Sequence, residues 1–536
     1  MNTTPGICVD ELSAPSAAPC ENAPADAQLA RSALADAARF LHRHWLLLPG
    51  VSALLLIPCF WQQRIQAGDL ASHVYNAWLA QLIERGQAPG LWIARQWNNV
   101  LFDITLSALG TRVGLPLAEK IAVSAAVLIF AWGAFALASA AARRAAWFVL
   151  PCLAMAAYGW TFQMGFLNYY LSLGLAFFGV ALLWRGRGWE RAATLALLPL
   201  IWLAHPLGVV LLGCAGAWVV FVENATLRRQ LLAGAAAVIL LVAVRIYIYG
   251  HYTVFHSPEP GYRFNGSDQL LLYGPQYRLP VNLLLVFMLF SVLADVIRRR
   301  GAGEPLRSYL VPAQLHGLAF LTVLLLPRGM VLPQYAAPAG FLSERLSTIC
   351  AISACCLLAV MKPRKWHLAG FATVAAVFFS YLYVDTAKIN RMETQAERYQ
   401  RAIPQGQRVV ATIRPFVGSR VFMHHIVDRA CIGQCFSYGN YEPASGQFRV
   451  RANPGNPYVT TSVETFMAIE YGVYIVQPQD LPMFQIYQCN PNMTELCMRE
   501  LPAGDINGRY GVHPAGFVVP TLPAPAAPAP LQVHLP

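Results

Sequence analysis

Charge is what this sequence has least of. Asp, Glu, Lys and Arg make up 12% of its 536 residues, against 56% hydrophobic, about half the charged share of a soluble protein. That scarcity excludes an ordinary water-soluble enzyme and identifies a polytopic α-helical membrane protein. Other absences narrow the reading. There is no Walker A sequence, so ATP hydrolysis by that route is excluded, and GRGWER (186–191) is a basic loop, not a nucleotide fold. Met1–Ala38 is rich in Ala and Pro and has no apolar h-region, so residues 1–40 read as a disordered cytoplasmic tail, not a signal peptide. No span carries the charges of a proton relay. Arg245, the main in-span ion, lies near an outer end, where snorkelling accounts for it.

The formal charge of +12 suggests nucleic acid at first sight. The basic residues, however, cluster in short connections between apolar runs, which is the positive-inside pattern. No nucleic-acid partner is expected. About eleven spans have suitable length, with cores at 45–61, 117–139, 145–161, 169–184, 192–205, 207–222, 231–249, 281–297, 309–326, 346–361 and 366–384. With the N-terminus inside, the inner connections hold Arg143 and Arg144, Arg185 to Arg191, Arg228 and Arg229, Arg298 to Arg307, and Lys362 to Lys365. The other face receives the long loops 62–116, 250–280 and 327–345 and everything after about residue 385. His205-Pro206 is either a tight outer turn or a break within one long span.

Two stretches stand apart from the apolar background. In the first outer loop, 62–116 of a membrane domain covering 41–385, Val74, Trp78, Leu79, Leu82 and Ile83 fall at helical spacing among polar residues. That pattern predicts an amphipathic helix lying in the membrane interface, with Trp92, Trp97 and Phe102 at headgroup level. The second stretch, 386–519, predicts a small extracytoplasmic α/β or α+β domain. Its strand candidates are RVVATI (408–413), SRVFMHHIV (419–427) and GVYIVQ (472–477). A Pro/Ala tail, 520–536, cannot bury a core and is expected to be disordered.

Four cysteines, Cys431, Cys435, Cys489 and Cys497, fall in the outer domain. An even number in an oxidising compartment predicts disulfides, either closing two small loops or pairing crosswise. A zinc site using His424 and His425 is the rival, although the spacings are not the usual ones. The other cysteines, Cys8, Cys20, Cys59, Cys152, Cys214, Cys350, Cys355 and Cys356, are expected to be inert.

The layout resembles the GT-C superfamily of membrane glycosyltransferases. The features that carry the resemblance are the span number, a long first outer loop holding an acid and interfacial helices, and a soluble C-terminal outer domain. Locally, GDLASHVYNAWLAQLIERGQAPGLW, LAEKIAV (117–123), LAHPLG (203–208) and RYQRAIPQGQRVV (398–410) are similar to bacterial proteins of that type. The resemblance implies a bacterial inner-membrane enzyme that moves a sugar, with inversion, from a polyprenyl-phosphate carrier to a glycan, lipid or protein acceptor at the outer face. An inverting transferase needs a carboxylate to take the acceptor's proton and cations to hold the departing phosphate.

Asp69 is the candidate base, although its position before Ala71 and Ser72 also suits an N-cap. Asp103 is the alternative. His73, one turn beyond Asp69, shares its helix face and is placed to orient carboxylate or phosphate. Arg345, in GFLSERL, is the candidate phosphate ligand and Arg328 the second; an interface anchor is the ordinary fate of either. Loop 250–280 supplies His251, His256, Tyr262, Arg263, Asp268 and Tyr273, of which His256 and Arg263 are candidate substrate ligands. His205 reads as structural. The first loop lacks the two adjacent acids that some members use for a divalent ion, so no cofactor is expected, although a metal stays open. Two other readings share this architecture. A lipid-linked glycan transporter would show inverted repeats, of which none is clear. A non-catalytic GT-C-like scaffold differs in one respect: Asp69 and Arg345 would not meet in one cavity.

Overall fold

The computed structural model describes residues 33–335, 337–490 and 494–508. Most of the N-terminal tail, with Cys8 and Cys20, and the Pro/Ala tail lie outside the described residues.

The end of the tail expected to be disordered is helical (Ala33–Arg43), and after it come a short apolar helix, α1 (Leu47–Phe60), then α2 (Leu70–Glu84), a strand β1 (Leu91–Ile93) and α3 (Leu101–Val113). Gly114, at φ +79°, ends α3, and Pro116 opens the next helix, α4 (Leu115–Ala142); a Pro in the first turn has no N–H to waste. Then come α5 (Leu150–Ala157), α6 (Leu167–Arg185), α7 (Leu198–Ala204), α8 (Pro206–Val222), α9 (Leu227–His251), α10 (Arg278–Gly301), α11 (Leu310–Leu325), α12 (Leu342–Ala359) and α13 (Lys365–Gln400). Among the described residues, seven helices are long and apolar enough to cross a membrane: α4, α6, α9, α10, α11 with its 3₁₀ lead-in, α12 and α13. α1 and α8 are shorter apolar helices. The expected spans 145–161 and 192–205 are each divided into short helical pieces.

Small residues bring the central helices together. A Cβ on Gly174 of α6 would lie 2.7 Å from the Phe130 backbone of α4, so α4 and α6 touch backbone to backbone, the way membrane helices gain contact without a hydrophobic driving force. On the other side of α6, Ser172 faces Gly208 and Leu183 faces Gly216, so α8 runs parallel to α6. The chain between them must therefore double back, and α7 makes that return. His205, extended at φ −168°, ψ 135°, is thus a tight turn, with its Nδ1 accepting from Leu207 N–H at 3.2 Å. Arg245 is held by the Leu325 carbonyl (2.6 Å) and Tyr249.

The C-terminal region is built on α13, which runs without a break across the expected boundary at 385. A four-stranded sheet follows. β2 (Gln407–Thr412) lies parallel to both β3 (Cys435–Ser437) and β5 (Met483–Gln488), and β6 (Leu496–Glu500) is antiparallel to β5. Between these strands lie the short helix α14 (Tyr441–Ser445), strand β4 (Val450–Ala452) and helix α15 (Val463–Glu470). The 408–413 strand is present, whereas 419–427 and 472–477 are not strands. The first of these spends its backbone on the membrane part. Arg420 N–H donates to Leu272 C=O (2.8 Å) and Arg420 C=O accepts from Trp160 Nε1–H (2.7 Å), and a 3₁₀ turn His424–Val427 follows. The second makes one bridge, Ile475 to Ile506. Cys431 pairs with Cys435 and Cys489 with Cys497, so each disulfide closes its own small loop.

The first loop and the C-terminal region form one body. β1 pairs antiparallel with β4, Trp92 opposite Arg451. The helix expected in the interface, α2, is instead roofed over: its polar residues Ser72 and Asn76 are buried. Asn440 Nδ2–H donates to Asn76 Oδ1 at 2.6 Å, and Ser437 N–H donates to the Tyr75 hydroxyl at 3.0 Å. The first half of its polar face meets protein, while Glu84 and Arg85 at its end are exposed. Trp92 and Trp97 are exposed while Phe102 is buried, which removes Phe102 from the headgroup level. Below this joint, Arg429 reaches down to Glu393 of α13 (2.6 and 2.8 Å), to Glu119 of α4 (2.6 Å) and to the Ile65 carbonyl.

Candidate active site

A cavity of about 590 Å³ lies where the helical part meets the C-terminal region. Asp69 enters it from the start of α2. Two glycines put it there: Gly68 N–H donates to Gln163 C=O (2.6 Å) and Asp69 N–H to Met164 C=O (2.9 Å). A side chain on Gly165, at φ +80°, would press to 2.5 Å from the Asp69 nitrogen. The Asp69 backbone is helical (φ −74°, ψ −9°) and its carboxylate makes no cap bond, because capping needs extended dihedrals. The carboxylate instead faces the cavity, with Oδ1 3.8 Å from His425 Nε2. Burial pushes its pKa up, and His425, His73 and Arg345 oppose that rise.

Two carboxylate–imidazole pairs flank Asp69. His73 lines the cavity, and its Nδ1 lies 2.6 Å from Asp103 Oδ1. Burial would lower the His73 pKa, but the Asp103 charge overrides this and carries it to about 9. Asp103 also accepts from Asn168 Nδ2–H (2.7 Å). Burial pushes its carboxyl up, but His73 and Asn168 outweigh that and hold it low. Asp103 is thereby committed behind His73 and does not line the cavity. The second pair is His425 Nδ1 with Asp428 Oδ2, 3.0 Å, and Ser437 Oγ–H fixes Asp428 at 2.7 Å. This leaves His425 Nε2 between Asp69 and Glu470 (3.9 Å). Burial lowers the His425 pKa, but Asp428, Asp69 and Glu470 together raise it to about 9, and Glu470 itself is pushed up to about 7 by burial.

Arg345 enters the same cavity from the first turn of α12. Its guanidinium stacks on Phe166 (4.2 Å to the ring centre) and reaches Tyr169 (6.0 Å). It makes no hydrogen bond or ion pair among the described residues, and its Nε is buried and unpartnered. The other cationic candidates lie elsewhere. Arg328 is bound to Glu344 Oε1 at 2.7 Å, and His256 and Arg263 are exposed and off the cavity wall. Asp268 is buried in a separate network with Ser347 (2.6 Å). The remaining wall is largely apolar and aromatic, including Phe166, Leu207, Phe341, Phe448 and Phe466. A carboxylate, an uncommitted guanidinium and an apolar wall in one chamber suit an amphiphilic anion.

His425, Asp428 and Glu470 were not among the sequence candidates, apart from His425 as a zinc ligand. No local signal marks them, since their relation to Asp69 exists only in the fold. No protein-family model, curated protein or solved structure matches the chain.

Proposed function

We propose that this protein is an inverting membrane glycosyltransferase acting on a sugar carried by a polyprenyl phosphate. One observation carries the reading: Asp69 and Arg345, far apart in the chain, face one cavity, each with its side chain free of structural duty. In the reaction, the acceptor hydroxyl oxygen attacks the anomeric carbon as the carbon–phosphate oxygen bond breaks. Asp69 takes the hydroxyl proton. Arg345 holds the departing lipid phosphate, on which negative charge grows. The imidazolium of His425 opposes the rise that burial imposes on the Asp69 pKa. The aromatic wall accommodates the sugar faces and the first prenyl units.

The same reading assigns eleven crossings, a cytoplasmic N-terminus and a cavity opening on the outer face of a bacterial inner membrane. β1–β4 pairing supports this count, because it requires an even number of crossings between the first loop and the C-terminal region. On this reading the helical pieces of 192–205 cross together as the return between α6 and α8, and those of 145–161 cross as well.

The test is transfer of labelled sugar from a panel of polyprenyl-phosphate sugars in reconstituted membranes. Asp69→Asn is expected to lower the rate by about 10²–10⁴-fold while lipid binding persists, and Arg345→Ala is expected to weaken binding of the lipid. Binding without transfer from any donor in the wild type favours the scaffold or transporter reading. Equal activity in wild type and Asp69→Asn removes Asp69 as the base.

A further inference from the structure

Glu442 belongs to none of the interactions just described, yet it lies against two of their members. It sits on α14, in the C-terminal region, and is buried. One ligand atom from each of His73, Asp103 and Glu442 falls within 4.8 Å of the other two. The three side chains come from three elements, α2, α3 and α14, and meet only because β1–β4 pairing and the Asn76–Asn440 bonds close the C-terminal region over α2. We infer that His73, Asp103 and Glu442 form a binding site for one divalent transition-metal cation, open to the cavity through His73.

The donor chemistry fits such an ion. One imidazole and two carboxylates make a mixed nitrogen and oxygen set of the kind zinc and manganese accept. Ligand atoms about 2.1 Å from a shared ion lie at most about 4.2 Å apart, so side-chain rotations of well under 1 Å would close the set. The charges fit as well. Two buried carboxylates share one imidazole, an excess of negative charge that burial makes costly. Arg449 is near both acids but gives its hydrogen bond to Ser107 (2.6 Å) and forms no ion pair with either among the described residues. Asn168, donating to the far oxygen of Asp103, supplies the outer support that orients a ligating carboxylate.

This inference stands apart from sugar transfer and is tested without it. The full-length chain, purified in detergent and stripped with chelator, is titrated with Mn²⁺ alone while free ion is counted by electron paramagnetic resonance. One Mn²⁺ per chain is expected, with ¹⁴N coupling from one imidazole in the spin-echo spectrum. Affinity rises with pH from 6 to 8, because the ligands must shed protons. Asp103→Asn and Glu442→Gln should each weaken binding by at least about tenfold. A wild-type chain that binds no Mn²⁺, a bound ion without nitrogen coupling, or binding undiminished in both variants overturns the site. The wild-type spectrum decides the matter even where a variant fails to fold.

Discussion

At the scale of single residues, the molecule concentrates its charges where water is scarce. Arg429 is the clearest case, since it is buried between Glu393 and Glu119. Arg429→Met leaves Glu119 without its ion-pair partner and Glu393 with Arg64 alone, at 3.7 Å, a loss of about 3–5 kcal/mol for a broken buried pair. Thermal unfolding in detergent should register it as a marked fall in Tm. His425 gives a pH signature. Its pKa in the fold is about 9, above the unfolded value of about 6.5, so its contribution to stability is complete below pH 6.5 and lost as pH rises through 9. The groups facing it are Asp428, Asp69, Glu470 and His424, and ionisation of Glu470 near 7 costs stability in the same direction. The Tm is expected to fall between pH 6.5 and 9, and the slope should flatten in His425→Gln. An unchanged slope in that variant would show that the decline arises elsewhere. Asp69, His73, Asp103 and Arg345 were visible in the sequence because a polar residue beside an apolar span stands out. Glu442 and Glu470 were not, since an acid in a polar domain has nothing local to distinguish it.

At the scale of elements, period and length identified the long spans, because seven of them need no partner to be recognised. They failed where a partner decides. The polar stripe of α2 reads as a face for water, and the same stripe satisfies Asn440 and Ser437 instead. The run 419–427 has the composition of a strand but bonds its backbone to the loops of the helical part. β3, β5 and β6 are short or half-polar, and their strand character comes from their place in the sheet, β3 and β5 beside β2 and β6 beside β5. The contact of α4 with α6 gives a direct test. Gly174→Val would drive a branched side chain into the Phe130 backbone, now reached at 2.7 Å by a single added carbon. A large loss of folded protein is expected, read as aggregation in size-exclusion chromatography. Gly213→Val, where an added carbon meets nothing within 4 Å, should be tolerated.

At the scale of the whole molecule, β1–β4 pairing fixes one fact about topology whatever the membrane orientation. Trp97 and Val417, both exposed, lie on one side. Single cysteines placed there in turn should react with an impermeant maleimide from that side only. A cysteine at Arg187 or Arg300 should react from the other. Labelling of the first two from opposite sides would break the pairing and, with it, the cavity.

The Arg429 latch also has a consequence in time. Glu119 waits 310 residues for its partner. At about 5–20 residues per second, that is roughly 15–60 seconds of synthesis. Through that interval α4 has been made but its acid has no arginine. The Glu119–Arg429 contact cannot form until Arg429 emerges, so the locking of α4 to the C-terminal region is among the last events in the making of this protein.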